Sequence, residues 1–293
     1  MQVVIHLGAH CTDEDRLLKT LLKNKGLLAQ EGISVPGPGR YRKSVVAAAQ
    51  KLRGASASLE SRETLLDAII DDDTSDRVVL TFENFICIPG RIFENGVLYD
   101  KAGYKPLWLR RLFPEAQVEF FLAVRNPATF IPAVFQHQQQ NSQDFAAFLA
   151  GTDIEQIRWS DVVLAIKESN PDCALTVWCN EDTPLIWPEV VREVSGHDPQ
   201  TRLNGGFAVL GKIMKTEGMR RLRAYLGTNP PQNEIQRRRI LVAFLDKYAL
   251  EDEVEEELDV PGWTEQLVED LTQIYEDDLE EIARMPGVNF IQP

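Results

Sequence analysis

Short runs of β-branched and aliphatic residues alternate with stretches of helical period along the first two thirds of the chain. The strand-like runs are Val3–Leu7, Val78–Phe82, Val118–Val124 and Leu175–Cys179. Their alternation with helices predicts an α/β fold built on a mainly parallel sheet. A first helix is expected from about Asp13 to Leu28, because Leu17, Leu18, Leu21, Leu22 and Leu28 form a wide apolar stripe that packs on the sheet. Ile33-Ser34-Val35 adds a short strand, and Pro36-Gly37-Pro38-Gly39 reads as a stop signal followed by the basic cluster Arg40, Arg42 and Lys43. Residues 59–70 predict another covering helix that ends in the acidic turn Asp71-Asp72-Asp73. Pro106 opens a short helix over Leu107–Phe113, closed by Pro114. The next helix begins after Pro127 and runs, interrupted or kinked near Pro132, toward His137; the polar run Gln138-Gln139-Gln140-Asn141 is too short to count as low complexity.

Beyond about residue 200 the strand-like runs stop. Helical periodicity takes over at Phe207–Leu226, Glu234–Tyr248 and Trp263–Met285, and Gly287–Ile291 reads as a short extended return to the core. This change of pattern divides the chain into an α/β core over 1–200 and a helical C-terminal subdomain over 201–293 that packs on it as a cap. No internal repeat is present.

With 293 residues the chain can bury a sizeable core. Its 31 Lys and Arg against 45 Asp and Glu give a net charge of −14, which argues against a nucleic-acid backbone or an anionic membrane as the main partner. Much of the negative charge lies in Glu251–Asp259 and Glu276–Glu281. No stretch approaches the roughly 18 apolar residues of a membrane span, and no basic flank precedes an apolar leader. A soluble cytoplasmic protein is therefore expected. The four cysteines form no CxxC pair; Cys87, Cys173 and Cys179 sit in or beside apolar runs, as buried free thiols do.

The candidate chemistry starts where the first strand ends. His6-Leu7-Gly8-Ala9-His10-Cys11-Thr12 leads from a strand through a turn into a helix, the architecture that gathers backbone N–H groups and the positive end of a helix dipole on an anion. Asp13, Glu14 and Asp15 stand where a phosphate would go. They also suit a helix start, with Thr12 as N-cap, Asp15 placed for a capping box and the acids complementing the dipole. His6, His10, Cys11, Asp13 and Asp15 supply metal-ligand types, but at a spacing that matches no metal signature, so no metal is expected.

The segment from His6 to Thr12 resembles the opening loop of bacterial sulfotransferases, which reads His-Ile-Gly-x-x-Lys-Thr-Gly-Thr-Thr and binds the 5′-phosphosulfate of 3′-phosphoadenosine 5′-phosphosulfate. His6, Gly8 and Thr12 match; Cys11 takes the lysine position, Asp13 the second glycine, and Glu14 and Asp15 the following hydroxyls. Phe121-Leu122-Ala123-Val124-Arg125-Asn126-Pro127 is similar to the family's (Leu/Val)-Arg-Asp-Pro motif, which holds the donor's 3′-phosphate, although Ala133 replaces the serine eight residues later. Leu80-Thr81-Phe82-Glu83-Asn84 resembles its strand ending in Ser-Ser-Glu. Val177–Asp182 resembles its Arg-Tyr-Glu-Asp segment, followed here by a helix ending at Gly196. The resemblance spans residues 3–200 in the family's order and implies a P-loop-type parallel sheet with helices on both faces.

It also implies roles. Gly8, Ala9, His10, Cys11 and Thr12 would present backbone donors to the phosphosulfate, and Arg125 would hold the 3′-phosphate, since guanidinium matches phosphate bidentately. Glu83 or His10 would act as base toward a hydroxyl or amine on a small-molecule or carbohydrate acceptor. Each residue also has a structural reading: Glu83 as an ion-pair partner of Arg16, Arg91 or Arg125, His10 as an incidental loop histidine, His6 as a packed strand residue. Arg40, Arg42 and Lys43 either restore positive charge to the loop or solubilise an exposed turn, and Trp159, Trp178 and Trp187 fit core packing. Two functions are thus expected: sulfuryl transfer from the nucleotide donor, or a non-catalytic relative that binds another ligand or a protein.

Overall fold

The computed structural model describes residues 1–70, 75–138, 144–250 and 260–293. Among them the strands are β1 (Gln2–His6), β2 (Ile33–Ser34), β3 (Arg77–Thr81), β4 (Gln117–Val124), β5 (Ala174–Cys179) and β6 (Val288–Ile291). They form one sheet in the order β2-β3-β1-β4-β5-β6, and every pairing is parallel. The helices are α1 (Arg16–Lys23), α2 (Lys25–Gln30), α3 (Pro38–Leu52), α4 (Leu59–Ile69), α5 (Lys105–Arg110), α6 (Pro127–Gln138), α7 (Phe145–Leu149), α8 (Trp159–Ser169), α9 (Thr183–Ser195), α10 (Leu210–Ile213), α11 (Thr216–Thr228), α12 (Glu234–Tyr248) and α13 (Glu265–Arg284). The chain is α/β, with helices on both faces of a parallel sheet. No described helix is long and apolar enough to cross a membrane.

Strand alternation sends side chains to two cores. Val3, Ile5, Val78, Leu80, Phe120, Leu122, Leu175 and Val177 pack under α3, α6, α8 and α13, whereas Val4, Val79, Phe121, Ala123 and Trp178 pack under α1 and α9. Trp159, Trp178 and Trp187 are all buried core residues, as are the thiols of Cys87, Cys173 and Cys179. At the end of the sheet opposite the candidate loop, buried Arg77 donates to Gln2 Oε1 (2.7 Å), to Glu119 Oε2 (2.9 Å) and to the carbonyl of Glu193 (3.2 Å), and so ties β1, β3, β4 and α9 together.

Three expectations change. The first helix starts at Arg16 rather than Asp13 and breaks at Asn24, whose side-chain amide donates to Thr20 O and Asn204 O (both 2.8 Å). Asp15 is the cap residue but has left-handed backbone (φ 62°), and its side chain does not cap; Thr12 Oγ1 donates back to Ala9 O (2.7 Å). Pro38 does not stop structure but begins α3, as its fixed φ suits the first helical position. Arg40, Arg42 and Lys43 therefore stand on a helix, not in a turn. The acidic run Asp71-Asp72-Asp73, the polar run after Gln138 and the acidic stretch 251–259 lie outside the described residues.

Past residue 200, α10, α11 and α12 share a small core of Leu210, Met214, Met219, Leu222 and Leu241. Arg237 donating to Leu185 O (3.0 Å) and the Arg238–Glu189 ion pair hold this hairpin to α9. By contrast α13 packs on α6 and α8, and β6 completes the sheet. Gly218 lets α11 and α12 touch: a Cβ there would lie 2.4 Å from Tyr248 Cβ, with no flexible chain end to yield. Gly218→Ala is expected to destabilise the hairpin by about 2 kcal/mol through overpacking, read as a lowered thermal midpoint.

Candidate functional site

The candidate site sits at the carboxyl ends of β1, β4 and β5, where open α/β sheets place ligands. After β1 the chain stays zipped to β4, with Leu7 N–H on Phe121 O (2.9 Å), Ala9 N–H on Ala123 O (3.0 Å) and Ala123 N–H on Gly8 O (2.7 Å). Gly8 is required here by its φ of 104° and because a Cβ would come within 3.2 Å of the Glu83 backbone. Gly8, Ala9, His10, Cys11 and Thr12 form one turn beside Arg125 and Glu83.

Two of the loop's backbone donors, those of Ala9 and His10, already have partners. The His10 N–H donates to Tyr99 Oη (3.1 Å). Asp13 folds its carboxylate onto the start of α1, accepting from the N–H of Leu17 (2.9 Å) and Asp15 (3.3 Å). This satisfies orphan amides that an incoming anion would otherwise use. Asp15 pairs with Arg42 of α3, whose Nη1 lies 3.1 Å from Oδ2; Arg42 Nε also donates to Thr81 O (3.1 Å) and its guanidinium stacks over Phe82. The basic cluster thus does reach the loop, but its cation is matched by the loop's own acid.

Arg125 is buried at the end of β4. Its Nη1 donates to Cys11 O (2.5 Å) and its Nε to Thr129 Oγ1 (3.0 Å), so the guanidinium braces the loop. The Arg125 carbonyl receives the indole N–H of Trp159 (2.8 Å), and the backbone N–H of Trp159 is capped by the buried carboxylate of Asp278 from α13 (2.6 Å).

His10 is buried with both ring nitrogens engaged, Nδ1 by Tyr99 Oη (2.6 Å) and Nε2 by Asn84 Oδ1 (2.8 Å). Because Tyr99 Oη accepts the backbone N–H, its proton is directed to Nδ1, and Nε2–H points to Asn84. Burial pushes the imidazole pKa down to about 4, against the raising effect of Asn84. His6 stacks on Trp178 (5.6 Å between ring centroids), and burial lowers its pKa also. Glu83 is half-buried and makes no hydrogen bond or ion pair among the described residues, so none of the arginines considered for it is its partner. Burial, then the charge of Asp13, raises its pKa above the usual carboxylate value.

Beside the loop opens a cleft of about 540 Å³. Its lining includes three cations, Arg16, Arg125 and Lys212, three acids, Asp13, Glu14 and Glu181, and also Trp187 and Thr12; Arg16 pairs with Glu14 (3.4 Å). Glu181 is fixed by the N–H of Asn126 (2.9 Å), Cys179 Sγ (3.0 Å) and Tyr275 Oη (3.1 Å), which links β4, β5 and α13 at the cleft rim. Sequence reasoning does not single out Arg16, Thr129, Trp187 or Lys212 as wall residues. Lys212 comes from α10, about two hundred residues from the loop, and nothing local marks it.

No protein-family model matches the sequence, and no curated protein does. A crystal structure of a sulfotransferase from Alicyclobacillus acidocaldarius is similar to the chain with 11% sequence identity and a TM-score of 0.43, over 83% of this chain and 96% of that one.

Proposed function

We propose that the chain is a non-catalytic relative of the sulfotransferases that binds a small polar ligand in the cleft and does not use 3′-phosphoadenosine 5′-phosphosulfate. The observation that carries this reading is the Asp13 carboxylate, seated on the amides of Asp15 and Leu17 at the start of α1. A phosphosulfate brought to this loop would meet that carboxylate. Each acid at ~5 Å would oppose it by roughly 3 kcal/mol at an effective dielectric near 20. Cys11 offers no cation in return, and Arg125 is engaged with Cys11 O and Thr129. The residues present therefore do not fit the donor. A cleft that mixes three cationic with three acidic side chains suits an uncharged polar or zwitterionic molecule better than a highly charged anion.

The second reading is sulfuryl transfer to a hydroxyl or amine acceptor, and Glu83 favours it. A half-buried carboxyl with raised pKa and no described partner is what a general base at a strand end requires. His10, with both nitrogens engaged, has no lone pair free for that task and is read as a residue that positions the loop.

Isothermal titration with adenosine 3′,5′-bisphosphate separates the two readings. The expected result is no binding at about 1 mM nucleotide, near −4 kcal/mol. Micromolar binding that Arg125→Ala abolishes, with the fold intact by circular dichroism, would overturn the non-catalytic reading in favour of a working donor site.

A further inference from the structure

The six consecutive apolar residues Ile240-Leu241-Val242-Ala243-Phe244-Leu245 lie within α12. At 100° per residue such a run points in every direction around the helix, so packing on one side cannot cover it. One side does pack: Leu241 is buried, and Ile240, Phe244, Leu245 and Tyr248 close on α11. The opposite side carries Ile235, Arg239, Val242 and Asp246, spaced by four, three and four residues in one stripe. Ile235 is 61% and Val242 42% exposed. The stripe borders a groove of about 400 Å³ that Leu185 helps to line. Arg239 and Asp246 make no ion pair among the described residues, unlike their neighbours Arg237 and Arg238, which pair with Glu234 and Glu189.

We infer that this stripe is the seam of a two-fold dimer in which α12 packs antiparallel against α12 of a second copy. The charge pattern argues for this occupant, because the stripe is complementary to itself. Around an axis between Val242 and Ala243, Arg239 falls opposite the partner's Asp246, and Asp246 opposite the partner's Arg239. Val242 then meets the partner's Ala243, a small residue that permits close approach, and both cross-pairs form at once, as an isologous interface requires. The Arg238–Glu189 pair and the Arg237 bond to Leu185 O fix α12 on the core, so the seam is presented in one orientation. The basic and acidic ends also disfavour a parallel arrangement, which would set Arg239 against the partner's Arg239.

The test is sedimentation equilibrium of the full chain from about 1 to about 200 μM, a range that brackets a micromolar dissociation constant. The expected result is a concentration-dependent rise to twice the chain mass of 33.1 kDa. Val242→Glu should abolish the rise. Arg239→Asp, which sets like charges opposite one another twice, should weaken association at least about tenfold. The double swap Arg239→Asp with Asp246→Arg should restore it, because the pairs re-form with signs exchanged, whereas a merely unfolded or non-specifically sticky chain would not respond in this way. A chain that stays monomeric over the whole range overturns the proposal and leaves the stripe to a different occupant. A dimer indifferent to Val242→Glu overturns the assignment of this face, and failure of the double swap to rescue Arg239→Asp overturns the antiparallel register.

Discussion

Acidification from about pH 7 to about pH 4 is expected to remove about 3 kcal/mol of stability through His10 alone, and His10→Gln is expected to abolish that part of the slope. The imidazole is buried between Tyr99 and Asn84, and its pKa falls from the ordinary 6.5 to about 4, chiefly because burial penalises the cation. The unfolded chain therefore binds a proton at this residue more readily than the native chain does. The stabilisation is complete above about pH 6.5 and is lost as the pH falls toward 4. His6, lowered by its burial, acts in the same direction. Glu83, Asp182 and Asp278 act oppositely: burial raises their pKa values, so the native state holds those protons more tightly and gains stability as the pH falls through their raised range toward the ordinary carboxylate values. The whole-protein curve mixes these contributions, and only the difference between wild type and His10→Gln isolates one residue. Urea unfolding of both proteins at pH 7, 6, 5 and 4 supplies that difference; parallel curves would show that His10 is not buried as a neutral ring.

The same histidine shows what a sequence does and does not reveal. The strands are legible because parallel strands covered on both faces read as near-continuous apolar runs, and Val118–Val124 and Leu175–Cys179 each fall within one residue of β4 and β5. The loop after β1 is legible because its spacing is local. α3 is not, because Pro36-Gly37-Pro38-Gly39 carries more turn signal than helix signal; the buried spacing of Tyr41, Val45 and Ala49 marks the helix only once its start is known. The break at Asn24 depends on Asn204, a partner one hundred and eighty residues away. At the site, residue types are readable but destinations are not. Asp13 could repel an anion from solvent or replace it on the helix start, and only the geometry distinguishes these. Arg42 and Asp15 look like two unrelated charges until α3 brings them together. Arg125 reads as a phosphate clamp by motif, yet it braces the Cys11 carbonyl.

Rebuilding the loop should convert this arrangement into a nucleotide site. Cys11→Lys restores a cation beside the turn, and Asp13→Gly removes the carboxylate that holds the amides of Asp15 and Leu17. The third change is set by backbone geometry. Glu14 has φ 49°, where a β-branched threonine would be strained and glycine is not, so Glu14→Gly removes a second acid without distorting the turn and leaves Asp15 to its pair with Arg42. The triple variant exchanges two negative charges for one positive charge within reach of a bound phosphate, several kcal/mol of changed interaction at an effective dielectric near 20. The expected result is adenosine 3′,5′-bisphosphate binding in the micromolar range where wild type shows none at about 1 mM, a gain of about 4 kcal/mol or more. Loss of the Asp13 cap works against this by about 1 kcal/mol of helix stability, well below the expected gain. Asp13→Asn alone, which keeps an acceptor for the helix amides but removes the charge, should bind weakly or not at all, because Cys11 and Glu14 remain. A triple variant that folds yet does not bind would mean that the cleft, and not only the loop, is unsuited to a nucleotide, with Lys212, Glu181 and Trp187 as the next residues to change.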